Sequence, residues 1–117
     1  MSMLALVLIA IVALLHLYFL VLEMFLWTKP LGRKVFRMSL EKAEATKVLA
    51  ANQGLYNGFL VAGLVWAIVA QRADVATFFL ACVIVAGVYG AATVNKRIFY
   101  VQALPAIVAL AVVWFAR

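Results

Sequence analysis

The sequence has 117 residues, of which 70% are hydrophobic and 12% are charged, and its formal net charge is +6. A soluble domain of this size buries only about two thirds of its surface, so much of this apolar sequence would face water. The composition therefore excludes a soluble globular domain. It predicts an all-α integral membrane protein, since helices satisfy their own backbone hydrogen bonds in lipid.

The apolar residues fall into four runs that are separated by the charged residues. Each run is close to the ~20 residues that a helix needs to cross a hydrocarbon layer of ~30 Å. We therefore predict a single domain, a four-helix transmembrane bundle, with helices over residues 2–27, 48–70, 75–94 and 98–116. The connections at 71–74 and 95–97 are short, which predicts antiparallel neighbours.

The first run is interpreted as a membrane helix and not as a signal peptide. No Lys or Arg precedes it, it is too long for the apolar region of a signal, and no small-residue cleavage site follows it. It is predicted to end where Pro30 and Gly32 interrupt the pattern.

The segment 28–47 is the longest polar connection, and its residues predict both local structure and orientation. Ser39 can cap a helix that begins at Leu40, and Glu41 and Glu44 suit the first turns of that helix. The second membrane helix is therefore expected to start before the chain enters the membrane. The segment also holds six of the ten cations, namely Lys29, Arg33, Lys34, Arg37, Lys42 and Lys47.

The distribution of cations predicts the topology. The segment 95–97 adds Lys96 and Arg97 to the six cations of the segment 28–47, so these two segments hold eight of the ten cations. Only Arg72 and Arg117 lie on the other side. Both segments are therefore placed in the cytoplasm and both termini outside the cell membrane, the inner membrane in a bacterium. The net charge is then explained by anionic lipid, and no nucleic-acid partner is expected.

Polar side chains inside the predicted spans are costly unless they face protein or water. Apart from His16, the polar side chains of the four spans fall in the half of the membrane that the topology places towards the cytoplasm. This clustering predicts a polar pocket that opens to the cytoplasm. Its predicted lining residues are Glu23, Asn52, Gln53, Tyr56, Asn57, Tyr89, Arg97, Tyr100 and Gln102.

Other roles for these residues stay open. Asn, Gln and Tyr in membrane helices also serve as hydrogen-bonding contacts between helices, and Glu23 could form a salt bridge with a cation of the segment 28–47. Gly54 and Gly58 form a G-x-x-x-G ridge that predicts close packing, including packing against a second subunit. The lone Cys82 and the single histidine predict neither an internal disulfide nor a metal site.

Several strings of the sequence resemble a family of small bacterial membrane proteins, domain of unknown function 1304. They are LEMFLW at 22–27, EATK at 44–47, ANQGLYNGF at 51–59, AGVYGAAT at 86–93 and VQALP at 101–105. The resemblance covers almost the whole chain. It implies four helices and no particular activity.

The order of features is also distantly similar to the membrane-associated proteins of eicosanoid and glutathione metabolism (MAPEG). A basic stretch follows the first helix, a polar face on the second helix leads into Phe59, and Tyr89 lies in the third. Arg97, Tyr100 and Gln102 open the fourth helix before Pro105. This MAPEG-like resemblance implies a homo-oligomer, with a trimer favoured, and glutathione or a similar thiol as ligand.

The chain departs from the MAPEG pattern at two positions. It has Asn52, Gln53 and Gly54 where that superfamily has an acidic residue on the second helix, and Cys82 where the spacing calls for an arginine. The resemblance therefore implies the architecture without implying activation of a thiolate.

Taken together, these features predict a small membrane protein whose pocket binds or transforms an amphipathic or thiol ligand. Whether it is an enzyme is left open. One alternative is a small transporter subunit that uses Glu23, as small multidrug exporters use a glutamate of their first helix, although theirs lies near the middle of the membrane. The other alternative is a structural membrane protein without catalysis.

Overall fold

The protein is all-α in the computed structural model, which describes residues 1–116 and so leaves Arg117 of the topology prediction outside the described residues. Its α-helices are α1 (Met3–Met24), α2 (Pro30–Phe36), α3 (Leu40–Ala70), α4 (Ala73–Thr93) and α5 (Leu104–Phe115). A π-helical turn, Phe99–Ala103, leads into α5. By length and composition, α1, α3 and α4 are able to cross a membrane, whereas the apolar helix Phe99–Phe115 is shorter.

The first predicted helix ends earlier than expected and is followed by an additional helix. Helix α1 ends at Met24 instead of Trp27, and Pro30, which we expected only to interrupt a helix, begins α2. Proline suits a first helical position because its φ is fixed and its missing N–H would have no partner there. Gly32 is buried, and a Cβ at this position would lie 2.0 Å from the carbonyl oxygen of Leu26. Glycine therefore permits α2 to fold back closely.

Helix α3 begins at Leu40, as the predicted Ser39 cap requires, and not at Val48, where the apolar run begins. The amide of Lys42 donates a hydrogen bond of 3.1 Å to Ser39 Oγ, so the capping prediction is confirmed. With 31 residues, α3 is about 46 Å long at ~1.5 Å per residue. It therefore exceeds the ~30 Å thickness of a hydrocarbon layer.

A tight connection joins α3 to α4. Gln71 has a φ of 55°, in the left-handed region that stops a helix, and α4 starts at Ala73, two residues before the predicted start. Arg72 donates two hydrogen bonds to Asp74, of 3.1 and 2.7 Å, and Asp74 Oδ1 accepts the amide of Val75. The hydrogen bonds that Arg72 donates, together with the charge of Asp74, raise the pKa of the exposed Arg72 guanidinium.

The fourth run, for which a helix over 98–116 was predicted, contains a π-helical turn before α5. The amide of Leu104 donates to the oxygen of Phe99, five residues back, which widens the first turns. Pro105 gives the physical reason, since its ring would clash with the carbonyl of Val101 in a regular α-helix and it has no N–H to donate. The prediction of a helix over 98–116 did not include this turn.

Contacts divide the chain into two compact units, Met1–Leu14 with Ala62–Arg117, and Leu15–Val61. The first unit has a buried core that includes Ile9, Leu64, Leu80 and Val113. The second contains Leu22 and Ala43 as buried apolar residues. The expectation of a single domain stays a prediction.

Candidate functional site

The last turn of α1 and the middle of α3 meet in the second unit at a carboxyl–amide pair. Asn57 donates a hydrogen bond from Nδ2 to Glu23 Oε1. Asn57 is 8% exposed and Glu23 is half-buried. Glu23 carries the acceptor and Asn57 the donor, so each polar group stabilises the other in apolar surroundings. The structure thus brings together two residues of the predicted site.

Small residues on α3 allow this pair to form. A Cβ at Gly54 would lie 2.5 Å from Met24 Cγ and 3.2 Å from Glu23 Cβ, and one at Gly58 would lie 3.1 Å from Leu20 Cδ1. The G-x-x-x-G ridge therefore packs against α1 of the same chain. The homo-oligomer stays a prediction.

Glu23 does not form the salt bridge that we considered as an alternative. Within residues 1–116, the ion pairs are Lys47 with Glu44, at 3.1 Å, and Arg72 with Asp74, at 2.7 Å. The first of these pairs lies on the exposed side of α3, where such pairs contribute little to stability. The polar partner of Glu23 is instead the amide of Asn57.

Three further predicted residues lie on α3 among the five residues that precede Asn57. Asn52, Gln53 and Tyr56 are all exposed, and the ring of Tyr56 contacts Phe59 edge-on at 5.7 Å between centroids. At ~100° per residue all three lie to the same side of the buried face that carries Asn57. The second unit therefore presents a polar surface beside a buried polar pair.

The ends of α1 and α3 are held by an additional set of contacts that sequence reasoning missed. Trp27 Nε1 donates a hydrogen bond of 3.0 Å to Thr46 Oγ1, and the Trp27 ring lies 4.8 Å from that of Phe36. Arg33 Nε donates to the carbonyl oxygen of Thr28 at 3.2 Å. A tryptophan just after a long apolar helix, with a threonine early in the next, was the signal that could have indicated this contact.

The other predicted site residues belong to the first unit. Tyr89, Arg97 and Tyr100 are exposed, and Gln102 is half-buried. The side chain of Asn95 accepts the amide of Arg97 at 2.9 Å, which fixes the turn after α4. That all nine predicted residues line one cavity stays a prediction.

The first unit has a groove of about 340 Å³ beside these residues. Its walls come from α4, from the connection that follows and from the π-helical turn. They are formed by Val88, Ala91, Ala92, Lys96, Phe99 and Tyr100. Of these, only Tyr100 was predicted, because Lys96 was used for the topology alone.

His16, the one polar residue placed outside the predicted cluster, is fully buried in the second unit, and its ring meets Phe19 edge-on at 5.5 Å. Among residues 1–116, no group of three or more His, Cys, Asp and Glu side chains is arranged to hold a metal ion. Cys82 is a free, half-buried thiol.

The fold and the site define an all-α protein with three helices of membrane-spanning length and a polar pair between two of its helices. The chain belongs to the family described as protein of unknown function (DUF1304), whose profile matches residues 10–114. It is also 36% identical over 114 residues to "Uncharacterized protein YpaA" of Lactococcus lactis subsp. lactis (strain IL1403), across 94% of this chain and 96% of the relative. No solved structure matches the chain.

Proposed function

We propose that the protein is an integral membrane protein with four spans, the fourth being the helix Phe99–Phe115. Three helices have the length and composition of a span. The fourth has 17 residues and about 25 Å of length, enough for most of a hydrocarbon layer. Large apolar side chains are exposed along all of them, for example Val69 at 77% and Phe115 at 89%. Lipid would cover this surface, which is far more apolar than a soluble protein tolerates.

The proposed orientation has a direct test. Reporter fusions after Arg37 should be cytoplasmic and fusions at Arg117 extracytoplasmic, because eight of the ten cations lie in the segments 28–47 and 95–97. A cytoplasmic and an extracytoplasmic reporter should be fused at each position, so that each gives a positive signal on one side. The opposite pattern would contradict the orientation and remove the argument for a pocket facing the cytoplasm.

We propose further that the pair Glu23–Asn57 and the neighbouring surface of α3 bind the polar end of an amphipathic or thiol ligand, in a MAPEG-like manner. The observation that carries this proposal is the combination of a buried carboxyl–amide pair with uncovered polar side chains at Asn52, Gln53 and Tyr56. In a membrane each uncovered polar group is costly until a partner satisfies it. A polar ligand would supply that partner.

The geometry indicates how the site would recognise such a ligand. Asn57 fixes one oxygen of the Glu23 carboxyl, while Oε2 has no hydrogen-bond partner among the described residues. That second oxygen can accept from an ammonium or a hydroxyl group of the ligand. Asn52 and Gln53 offer both donors and acceptors, which suits the amide and carboxylate groups of a peptide-like thiol such as glutathione.

The alternatives use the same residues differently. A transporter would need Glu23 to exchange its partner during transport, whereas here the carboxyl lies in the last turn of α1 and is held by Asn57. A structural protein would need the pair only to join α1 and α3. Binding of a small molecule at Glu23 separates the structural role from the proposed one.

The test is a thermal-shift titration of the purified protein in mild detergent. Glutathione and representative phospholipids should be added separately, and at least one should raise the melting temperature of the wild type. Glu23→Gln should reduce that shift because the single oxygen of the glutamine amide accepts from Asn57, so no second oxygen is left to accept from the ligand. Glu44→Gln is the matched control, since Glu44 is exposed and pairs only with Lys47.

Two results would contradict the proposal. One is that no compound stabilises the wild type. The other is that Glu23→Gln and Glu44→Gln leave the same shift. Either result would assign the pair Glu23–Asn57 a purely structural role between α1 and α3.

A further inference from the structure

We propose that the groove of the first unit binds an anionic phospholipid of the surrounding bilayer, with the headgroup at Lys96 and Tyr100 and an acyl chain along α4. This inference rests on the proposed membrane insertion. It deepens the proposed function, because it gives a ligand class to the part of the predicted pocket around Tyr100. It does not depend on Glu23 or Asn57, which lie in the other unit.

The shape of the groove suits a chain-like ligand. Val88, Ala91 and Ala92 follow one another at helical spacing, so they form one strip along α4. Phe99, at the start of the π-helical turn, forms another wall. The volume of about 340 Å³ lies at the lower end of the ~300–1,000 Å³ that ligand sites occupy.

Small residues keep the groove open. A Cβ at Gly90 would lie 3.0 Å from Ile98 Cγ2, so α4 and the connection approach each other closely at that position. Ala91 and Ala92, which are next in the chain, add only a methyl group each to the wall. Any larger side chain at Ala92 would occupy the space that we assign to the acyl chain.

Charge distinguishes the two ends of the groove. Lys96 contributes an ammonium group, and Tyr100, 65% exposed, contributes a hydroxyl group that can donate a hydrogen bond. No acidic residue follows Asp74 in the sequence, and Lys96 has no ion pair within residues 1–116. The cation is therefore uncompensated by the chain itself. A phosphate group would compensate it, while Val88, Ala91 and Phe99 match only an apolar ligand segment.

The topology favours a lipid as the source of that phosphate. Lys96 lies in the segment 95–97, which the distribution of cations places at the cytoplasmic surface, where anionic headgroups attract Lys and Arg. A groove with a cationic end at the headgroup level and an apolar remainder at the acyl level has the polarity of a phospholipid. A soluble phosphate compound would leave the apolar strip uncovered.

The experiment is native mass spectrometry of the full chain, released from vesicles that contain equal amounts of phosphatidylglycerol and phosphatidylcholine. The wild type should retain phosphatidylglycerol in preference. Lys96→Gln should lower this retention about fivefold, because a cation near anionic lipid contributes ~1 kcal/mol. Ala92→Trp should lower it at least as much by filling the groove. Glycerol phosphate should not displace the lipid, because it has no acyl chain.

Matched controls separate the groove from general effects. Lys34→Gln removes a cation from α2, and Val85→Trp adds the same bulk at an exposed position of α4 that does not line the groove. Val85→Trp should retain phosphatidylglycerol as the wild type does. Lys34→Gln should lose less of it than Lys96→Gln, because it removes only a general attraction to anionic lipid. The thermal shift with glutathione is measured separately, so a failure at the groove and a failure of the site on α1 and α3 give different results.

Four results would overturn the proposal. The first is equal retention of the two lipids by the wild type, and the second is equal losses in groove and control variants. The third is displacement by glycerol phosphate, which would assign the groove to a soluble anion. A change of oligomeric state in Ala92→Trp with unchanged lipid retention would assign the groove to a second copy of the chain and would also overturn it.

Discussion

Asn57→Leu should destabilise the protein by about 1–3 kcal/mol, the cost of leaving a buried polar group without its partner. Asn57 donates its amide hydrogen to Glu23, and both side chains lie where α1 and α3 are packed closely through Gly54. Leucine has a similar size and no donor, so the substitution removes the hydrogen bond with little change in volume. The free energy of unfolding, measured by denaturant titration in mild detergent with circular dichroism, gives the effect.

Two variants separate the lost hydrogen bond from other consequences. Asn52→Leu makes the same change at an exposed position of α3 and should stay within about 0.5 kcal/mol of the wild type. Glu23→Gln keeps a side-chain oxygen that accepts from Asn57, so its loss of stability should be smaller than that of Asn57→Leu. Equal stability of Asn57→Leu and Asn52→Leu would show that the pair contributes nothing to the packing of α1 against α3.

Gly87→Ala should destabilise the protein by about 1–3 kcal/mol, the usual cost of inserting an additional carbon atom into a tightly packed site. A Cβ at Gly87 would lie 2.7 Å from the backbone nitrogen and 2.8 Å from the Cβ of Ala103. Because the obstacle is backbone, α4 and the π-helical turn must move apart to make room. The same denaturant titration measures the loss.

Gly58→Ala is the matched control for Gly87→Ala. It also replaces a helical glycine, but its Cβ would meet only Leu20 Cδ1, at 3.1 Å, the end of a flexible side chain. Both variants gain the same helix propensity, about 1 kcal/mol, so the difference between them isolates the steric cost. If Gly87→Ala were as stable as Gly58→Ala, the close approach at Ala103 would not limit the fold.

The sequence predicted the features that depend on local chemistry or on long apolar runs. The Ser39 cap needs only a hydroxyl group before free amide groups, and it is found as expected. The runs predicted the long helices because their length exceeds what a short core helix requires. The ends of the helices were less predictable. A proline interrupts a helix when it lies inside it and favours a helix when it lies at the first position. Pro30 does the latter, so α2 was missed.

The pairing of Glu23 was beyond the sequence for a geometric reason. Its partner depends on how α1 and α3 are rotated about their own axes, and apolar runs on all sides carry almost no information about rotation. The contacts of Gly54 fix that rotation in the structure. They direct Glu23 towards Asn57 and not towards a cation of the segment 28–47. The π-helical turn was likewise missed, because an apolar helix with and without one has the same composition.

The length of α3 has a mechanical consequence for the site. Between Leu40 and Asn57 the helix contains no proline and no break, and its first turns lie beyond the proposed hydrocarbon layer. A continuous helix of this kind is stiff. Because no hinge lies between its first turns and Asn57, a tilt of these turns also moves Asn57. The hydrogen bond from Trp27 to Thr46 restrains the first turns of α3. Any molecule that displaces the first turns of α3 therefore also displaces the amide of Asn57, which donates to Glu23.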